Sequence, residues 1–122
     1  MNSSSVEMDA KARQFGAEST VLLKNKDGVL PLPQGRKIAL IGAASMNALS
    51  LSYGHGSGEV YPSHYVSPLE GIRAAAGVDA KVRFNAGEVL DNATALARDS
   101  DFAVVFIGST ASEGGDRPSL SL

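Results

Sequence analysis

The sequence predicts an α/β fold in which helices cover the faces of a parallel sheet. It also indicates that this sheet is incomplete. Two observations support this prediction. Short apolar segments suited to strands alternate with helical segments in the order β-α-β-α-β, and such alternation forms parallel sheets through right-handed crossovers. Three strands are few for a sheet that has to be covered on both faces. We therefore expect a partial three-layer sandwich.

Length and composition exclude several functional classes. The chain has 122 residues, which is enough for one domain or part of one. Its 11 Lys and Arg against 13 Asp and Glu include no basic run, which argues against nucleic-acid binding. No segment approaches the roughly 18 consecutive apolar residues of a membrane span. The absence of Cys excludes a disulfide scaffold, a thiolate zinc site and a Cys nucleophile. We expect neither nucleic acid nor membrane as a partner.

The first half of the chain predicts one helix and one buried strand. Residues 6–24 place apolar side chains at helical spacing, and a turn over 24–28 ends that helix. Residues 37–42 form a short apolar run stopped by Gly, which is typical of a strand buried on both faces. The segment 43–67 is rich in Gly, Ser, Tyr and His, and loops of this length within a domain are usually functional or disordered.

The second half predicts a helix followed by a strand. Residues 68–76 favour a helix, with Ser67 as N-cap, Pro68 in its first position and Gly77 after its end. Residues 80–86 alternate as in a strand with one covered face, or in an edge strand.

A further helix and strand complete the pattern. Asp91 is expected to cap a helix over 92–99, with Ala93, Leu96 and Ala97 on its inner side. Residues 102–108 give the strongest strand signal, an apolar run that ends at Gly. The three strands should be adjacent and parallel.

The long loop contains two groups with possible chemistry. Gly54, Gly56 and Gly58 are spaced G-x-G-x-G well after the strand, whereas a dinucleotide site needs G-x-G-x-x-G directly between a strand and a helix. A flexible or tightly turning loop is the favoured interpretation. His55 and His64, with Glu59, match no helical or finger-like ligand spacing. Exposed loop histidines are favoured there, and no metal site is expected.

The loop after the last strand holds a carboxylate in a suggestive position. Polar residues beyond the carboxyl end of a parallel strand lie where open α/β sheets bind ligands. Glu113 precedes Gly114 and Gly115, so its backbone can bend sharply, and it could serve as a general acid/base. From the residues alone, an ordinary exposed Glu is favoured. Asp116 and Arg117 are adjacent, so each is expected to anchor the loop to another segment.

Seven blocks of the sequence carry a resemblance to a known family. They are ESTVLLKN at 18–25, GVLPL at 28–32, KIALIG at 37–42, GHGSG at 54–58, SPLEGI at 67–72, FAVVFIG at 102–108 and SEGGDRPSL at 112–120. In order and spacing they resemble the C-terminal α/β-sandwich domain of glycoside hydrolase family 3, which includes β-glucosidases and β-xylosidases. The match covers nearly the whole chain from about residue 8, and the combination of TVLLKN, LPL and SEGGDR is specific.

The resemblance implies part of a retaining, exo-acting β-glycosidase, with a β-linked oligosaccharide or glycoside as substrate and no cofactor. Such enzymes use a nucleophile and an acid/base about 5–5.5 Å apart. In this family the nucleophile is an Asp on a preceding (β/α)8 barrel, and the acid/base is usually a Glu from a loop of the sandwich domain. Glu113 matches that loop. Gly56, Ser57 and Gly58 resemble the loop near the sugar-binding cleft and are expected to bind substrate.

The resemblance also implies a missing partner domain. A (β/α)8 barrel typically needs about 250 residues, more than this chain has. We expect residues 1–122 to be the N-terminal part of the C-terminal domain, with the catalytic barrel absent and the chain inactive alone. Its unfinished sheet edge should expose Val and Ile and promote aggregation. Two alternatives stay open: a stand-alone α/β ligand- or partner-binding module without catalysis, and a structural domain whose carboxylates do no chemistry.

Overall fold

A computed structural model describes residues 5–45, 65–108 and 115–119 of the chain. The chain divides into two compact units, Met1–Leu32 and Pro33–Leu122. The described part contains no helix long and apolar enough to cross a membrane.

The described residues of the first unit contain one α-helix, α1, over Val6–Glu18, and a short 3-10 turn over Lys26–Gly28. The side chain of Ser5 caps the start of α1 by accepting a hydrogen bond from the backbone N–H of Met8 at 3.2 Å. The predicted helix over 6–24 was too long by six residues. The hydroxyls of Ser19 and Thr20 donate to the Gly16 carbonyl at 3.2 and 3.0 Å, and such side-chain bonds compete with continuation of a helix. No residue of α1 is buried.

The second unit contains a three-stranded sheet. The strands are β1 (Lys37–Ile41), β2 (Lys81–Asn85) and β3 (Phe102–Val105). They are arranged in the order β2-β1-β3, and both pairs are parallel. The predicted β-α-β-α-β order and the parallel pairing are confirmed, and each strand is slightly shorter than the sequence suggests.

Among the described residues, two helices lie between the strands. Helix α2 spans Pro68–Ala75, and Ser67 caps it as predicted. Helix α3 spans Leu90–Arg98. The prediction that Asp91 caps this helix was wrong, because Val89 occupies the cap position without a side-chain hydrogen bond. Asp91 lies inside the first turn, where the helix dipole favours a carboxylate.

The core is built around the central strand. Ile38, Ala39 and Leu40 are at most 2% exposed, so β1 is buried on both faces as predicted. Leu69 and Ala76 at α2 and Ala93 of α3 complete the buried apolar set of the described residues. Leu96 and Ala97 are half-buried, as their predicted place on the inner side of α3 requires.

The two faces of the sheet can be assigned from side-chain contacts. Right-handed crossovers from β1 to β2 and from β2 to β3 run in opposite directions, which places α2 and α3 on opposite faces. Arg83 of β2 and Lys37 of β1 both reach Asp99 at the end of α3, at 2.6 and 3.9 Å. Because strand side chains alternate, the odd-numbered strand residues face α3 and the even-numbered ones face α2.

Candidate functional site

The predicted site residues lie outside the part of the chain that the structure describes. This applies to Glu113 and to the predicted substrate-binding residues Gly56, Ser57 and Gly58, as well as to His55, Glu59 and His64. Their proposed roles stay predictions. The structure does describe the residues at which both loops leave and rejoin the sheet.

Both loops leave the sheet from adjacent strands. One follows β1 and the other follows β3, and these strands are paired in parallel, so their carboxyl ends lie side by side. The chain first crosses from β1 to β2, which lies on one side of β1 in the sheet. It then crosses back to β3, which lies on the other side of β1. The β1–β3 boundary is therefore the switch point of the sheet, which is where open α/β sheets bind ligands.

Gly42 joins the ends of β1 and β3 in close contact. The backbone N–H of Phe106 donates to the Ile41 carbonyl at 2.8 Å. Gly42 adopts a φ of +111°, and a Cβ at this position would lie 2.2 Å from the Phe106 carbonyl oxygen. Only Gly fits this position without a shift of backbone. The sequence had indicated Gly42 merely as the end of a strand.

A short 3-10 turn over Ala43–Ser45 adds to this junction. Ser45 is fully buried, and its backbone N–H and hydroxyl both donate to the Gly42 carbonyl, at 3.1 and 2.8 Å. A Cβ at Gly108 would lie 3.8 Å from the Cβ of Ala44, so the two chain segments remain in contact one turn beyond the strands. Sequence analysis did not identify Ser45, because a single Ser after an apolar run carries no distinctive signal.

The far end of the long loop is held by Ser67 and Glu70. The backbone N–H and the hydroxyl of Ser67 both donate to Glu70 Oε2 at 2.8 Å, and the Glu70 N–H donates to Ser67 Oγ at 3.2 Å. These hydrogen bonds, the one from the Ser67 backbone first, lower the pKa of Glu70. Glu70 is therefore an ionised cap at neutral pH, and its chemistry does not suit a proton donor.

The predicted anchors of the second loop lie in the described segment 115–119. Asp116 is exposed and Arg117 is half-buried. Their role in holding the loop stays a prediction. Within the described ranges, no three His, Asp or Glu side chains lie close enough together to hold a metal ion.

Comparison with known proteins adds independent evidence. The family model described as the glycosyl hydrolase family 3 C-terminal domain matches residues 20–122. The thermostable beta-glucosidase B of Acetivibrio thermocellus is 38% identical over 124 residues, which covers 91% of this chain and 16% of the relative. The beta-glucosidase cel3A of Pyricularia oryzae is 32% identical over 117 residues, covering 84% and 16%.

A relative with a different printed activity is also similar. The beta-xylosidase of Formosa agariphila is 30% identical over 128 residues, which covers 91% of this chain and 18% of the relative. The chain thus spans less than a fifth of the length of these three relatives.

Proposed function

Since the chain belongs to glycosyl hydrolase family 3 and matches the model of its C-terminal domain, we propose that it works as part of a retaining, exo-acting β-glycosidase. Residues 1–122 would form the N-terminal part of the C-terminal α/β-sandwich domain, and a (β/α)8 barrel outside this chain would carry the nucleophile. The substrate would be a β-linked oligosaccharide or glycoside. Two similar proteins with the printed name beta-glucosidase support a β-glucosidase-like activity.

The observation that carries this proposal is the junction at Gly42. It brings the starting points of both predicted loops together at the switch point of the sheet, through the close approach of Gly42 to Phe106. Residues 54–58 and Glu113 belong to these two loops. A glycosidase of this kind needs an acid/base and a sugar-binding segment at the same cleft, and this topology supports that arrangement.

Glu113 would act as the acid/base in both steps of the reaction. In the first step its protonated carboxyl gives a proton to the glycosidic oxygen, while the barrel Asp attacks the anomeric carbon and forms a glycosyl-enzyme. In the second step the Glu113 carboxylate takes a proton from water, whose oxygen displaces the Asp from the anomeric carbon. Gly114 and Gly115 would allow the loop to bend toward the barrel. Gly56, Ser57 and Gly58 would contact the sugar.

The outer edge of β3, with which no strand among the described residues pairs, supports the proposal that more of the domain lies outside this chain. Val105 and the following Ile107 are 56% and 70% exposed. Large apolar side chains along an open strand edge favour addition of a further strand. A stand-alone binding module is expected to have a complete, covered sheet. The exposed side chains at β3 do not support that alternative.

A chimaera tests the proposed role of Glu113. Residues 20–122 would replace the matching stretch of the Acetivibrio thermocellus enzyme, and turnover of an unactivated β-linked disaccharide would be measured. We expect Glu113→Ala to reduce this turnover by about 100-fold or more, because loss of a general acid typically costs that much. Activated aryl glycosides should lose less in the first step, and azide should restore their second step.

The controls separate chemistry from folding. Glu88→Ala removes another exposed carboxylate with no hydrogen bond in the described part of the chain, and it should leave turnover unchanged. Disaccharide turnover by the Glu113→Ala chimaera within threefold of the unaltered chimaera would contradict the assignment. The 122-residue chain alone should not hydrolyse an aryl β-glucoside, and heat-labile turnover by it would contradict a nucleophile outside the chain.

A further inference from the structure

A groove follows the outer edge of β2, away from the switch point. Its volume is about 690 Å³. Arg73 of α2 forms part of one wall, and Leu96 of α3 with Asp99 forms part of the other. Val82, Arg83 and Phe84 of β2 form the floor. Because α2 and α3 pack on opposite faces of the sheet, the groove between them opens onto the edge of the strand itself.

The floor of this groove offers backbone groups that pair with no strand among the described residues. The N–H of Lys81 donates to the Arg36 carbonyl at 3.0 Å, and the carbonyl of Asn85 accepts from the Gly42 N–H at 2.9 Å. Since the direction of backbone groups alternates along a strand, the intervening Val82 and Phe84 point their N–H and C=O groups outward. No strand among the described residues pairs with this edge. These four groups are suited to receive an extended peptide.

The groove and its edge carry positive charge. Arg83 is already paired, since it donates to a carboxylate oxygen of Asp99 at 2.6 Å and to the Asp99 carbonyl at 3.0 Å. Arg73 and Lys81 are exposed, and neither makes an ion pair within the described part of the chain. Lys81 is therefore an uncompensated cation beside the open edge, whereas the charge of Arg73 also acts on the nearby Glu70 carboxylate.

We propose that the outer edge of β2 binds an extended acidic segment of a partner protein as an additional strand. Backbone hydrogen bonds to Val82 and Phe84 hold the segment, and acidic side chains on the α3 face lie beside Lys81. Apolar side chains alternate with them on the face of Val82 and Phe84. A second copy is disfavoured, because it would bring a second exposed Lys81 to the same edge in place of an acidic side chain. This inference does not depend on the proposed glycosidase function.

A pair of peptides tests the proposal on the 122-residue chain with Val105→Lys and Ile107→Lys, two exchanges on the β3 side that reduce self-association and leave β2 unaltered. The first is a fluorescent acetyl-Thr-Glu-Val-Glu-Val-Glu-Thr amide, and the second has Lys in place of each Glu. We expect the acidic peptide to bind at least about tenfold more tightly, with a preference that weakens as salt is added. In amide hydrogen exchange, the acidic peptide should slow exchange at Val82 and Phe84. Equal binding of the two peptides, no binding, or unchanged exchange at both amides would overturn the proposal.

Variants of the protein test whether the charge of Lys81 contributes to binding of the acidic peptide. Lys81→Glu should weaken binding of the acidic peptide by at least about tenfold. Arg98→Glu makes the same charge change at an exposed residue of α3 that does not line the groove, and it should have no effect. If Lys81→Glu fails to fold, binding of the Lys-containing peptide to the chain that retains Lys81 decides the same question. Protection of Val82 and Phe84 without peptide, together with a dimer in ultracentrifugation, would show that a second copy occupies the edge and would overturn the proposal.

Discussion

The two edges of the sheet differ in the side chains they present to water. On β2, Lys81 and Arg83 are exposed, and Asp99 holds Arg83 in place. On the β3 side, Val105 and Ile107 are exposed instead. Charged side chains on an edge strand prevent edge-to-edge association, whereas an apolar edge invites it. The comparison indicates that the charges on β2 protect its edge from pairing with another copy of the chain, and that β3 is suited to be covered.

The two sides of the sheet also differ in how tightly the glycines after the strands are packed. Gly42, which contacts β3, would place a Cβ 2.2 Å from a backbone oxygen. Gly87, which follows β2, would place a Cβ in ordinary contact, 3.8 Å from a methyl group of Ile41. Both have positive φ, +111° and +86°. The junction with β3 is thus the tighter one, and it is the one from which the predicted catalytic loop leaves.

The largest expected effect concerns self-association. We expect the 122-residue chain to aggregate through the β3 edge, and the double variant Val105→Lys, Ile107→Lys to be mainly monomeric in ultracentrifugation. Val78→Lys makes the same exchange at a fully exposed residue away from the sheet and should leave aggregation unchanged. A sharp, cooperative thermal transition from a monomer of the unaltered chain would contradict this prediction.

Replacing a charged residue of β2 by an apolar one tests the other edge of the sheet. Lys81→Val removes one of the charges on that edge, so it should increase self-association of the soluble Val105→Lys, Ile107→Lys background. Light scattering over a range of protein concentrations measures this effect. If the variant stays monomeric at every concentration, the charges of β2 do not protect its edge.

The two glycines predict effects of intermediate size on stability. In the same soluble background, Gly42→Ala should lower the free energy of unfolding by about 3 kcal/mol or more, because positive φ and a clash with backbone combine. Gly87→Ala should cost about 1 kcal/mol, since only the positive φ opposes it. Urea denaturation of both variants measures the difference. Equal costs would show that the junction with β3 can shift to admit a methyl group.

The smallest expected effect is a pH dependence of folding stability that arises from the ion pair on the β2 side. The hydrogen bond from Arg83, its charge and that of Lys37 lower the pKa of Asp99. Because this pKa is lower in the folded state than in the unfolded state, the pair stabilises the fold above the ordinary Asp pKa of about 4. That stabilisation is lost as the pH falls through the folded value. The effect is small, because the pair is exposed.

Thermal melts in the soluble background measure this dependence. Asp99→Asn should reduce the loss of melting temperature between pH 7 and pH 3, and Glu70→Gln should remove a separate part of it, since the pKa of Glu70 is also lowered. An acid-induced loss that is the same with and without Asp99→Asn would exclude a contribution from the Asp99 carboxylate.

Much of the local structure was predictable from the sequence, because helices and strands leave short-range patterns. The spacing of apolar residues indicated all three strands, and Ser67 followed by Pro indicated the start of α2. Predictions from local patterns were wrong at two helix ends, where one pattern indicated helix and another indicated its end or start. The apolar spacing over 6–24 extended past Ser19 and Thr20, whose hydroxyls bond to Gly16. At α3, Asp91 had the chemistry of a cap, but the helix begins at Leu90, two residues before the predicted start.

The sequence by itself determined the α/β class, the parallel pairing and the family of this protein, because periodicity and motif spacing are written in consecutive residues. Only the tertiary structure decided the order β2-β1-β3 and therefore which edge is charged and which is apolar. It also decided that Gly42 meets Phe106 and that Ser45 is buried beside them. Contacts of this kind join residues far apart in the chain, such as Lys37 and Asp101 at a separation of 64. Pairing between distant segments depends on how whole strands pack, which no local pattern encodes.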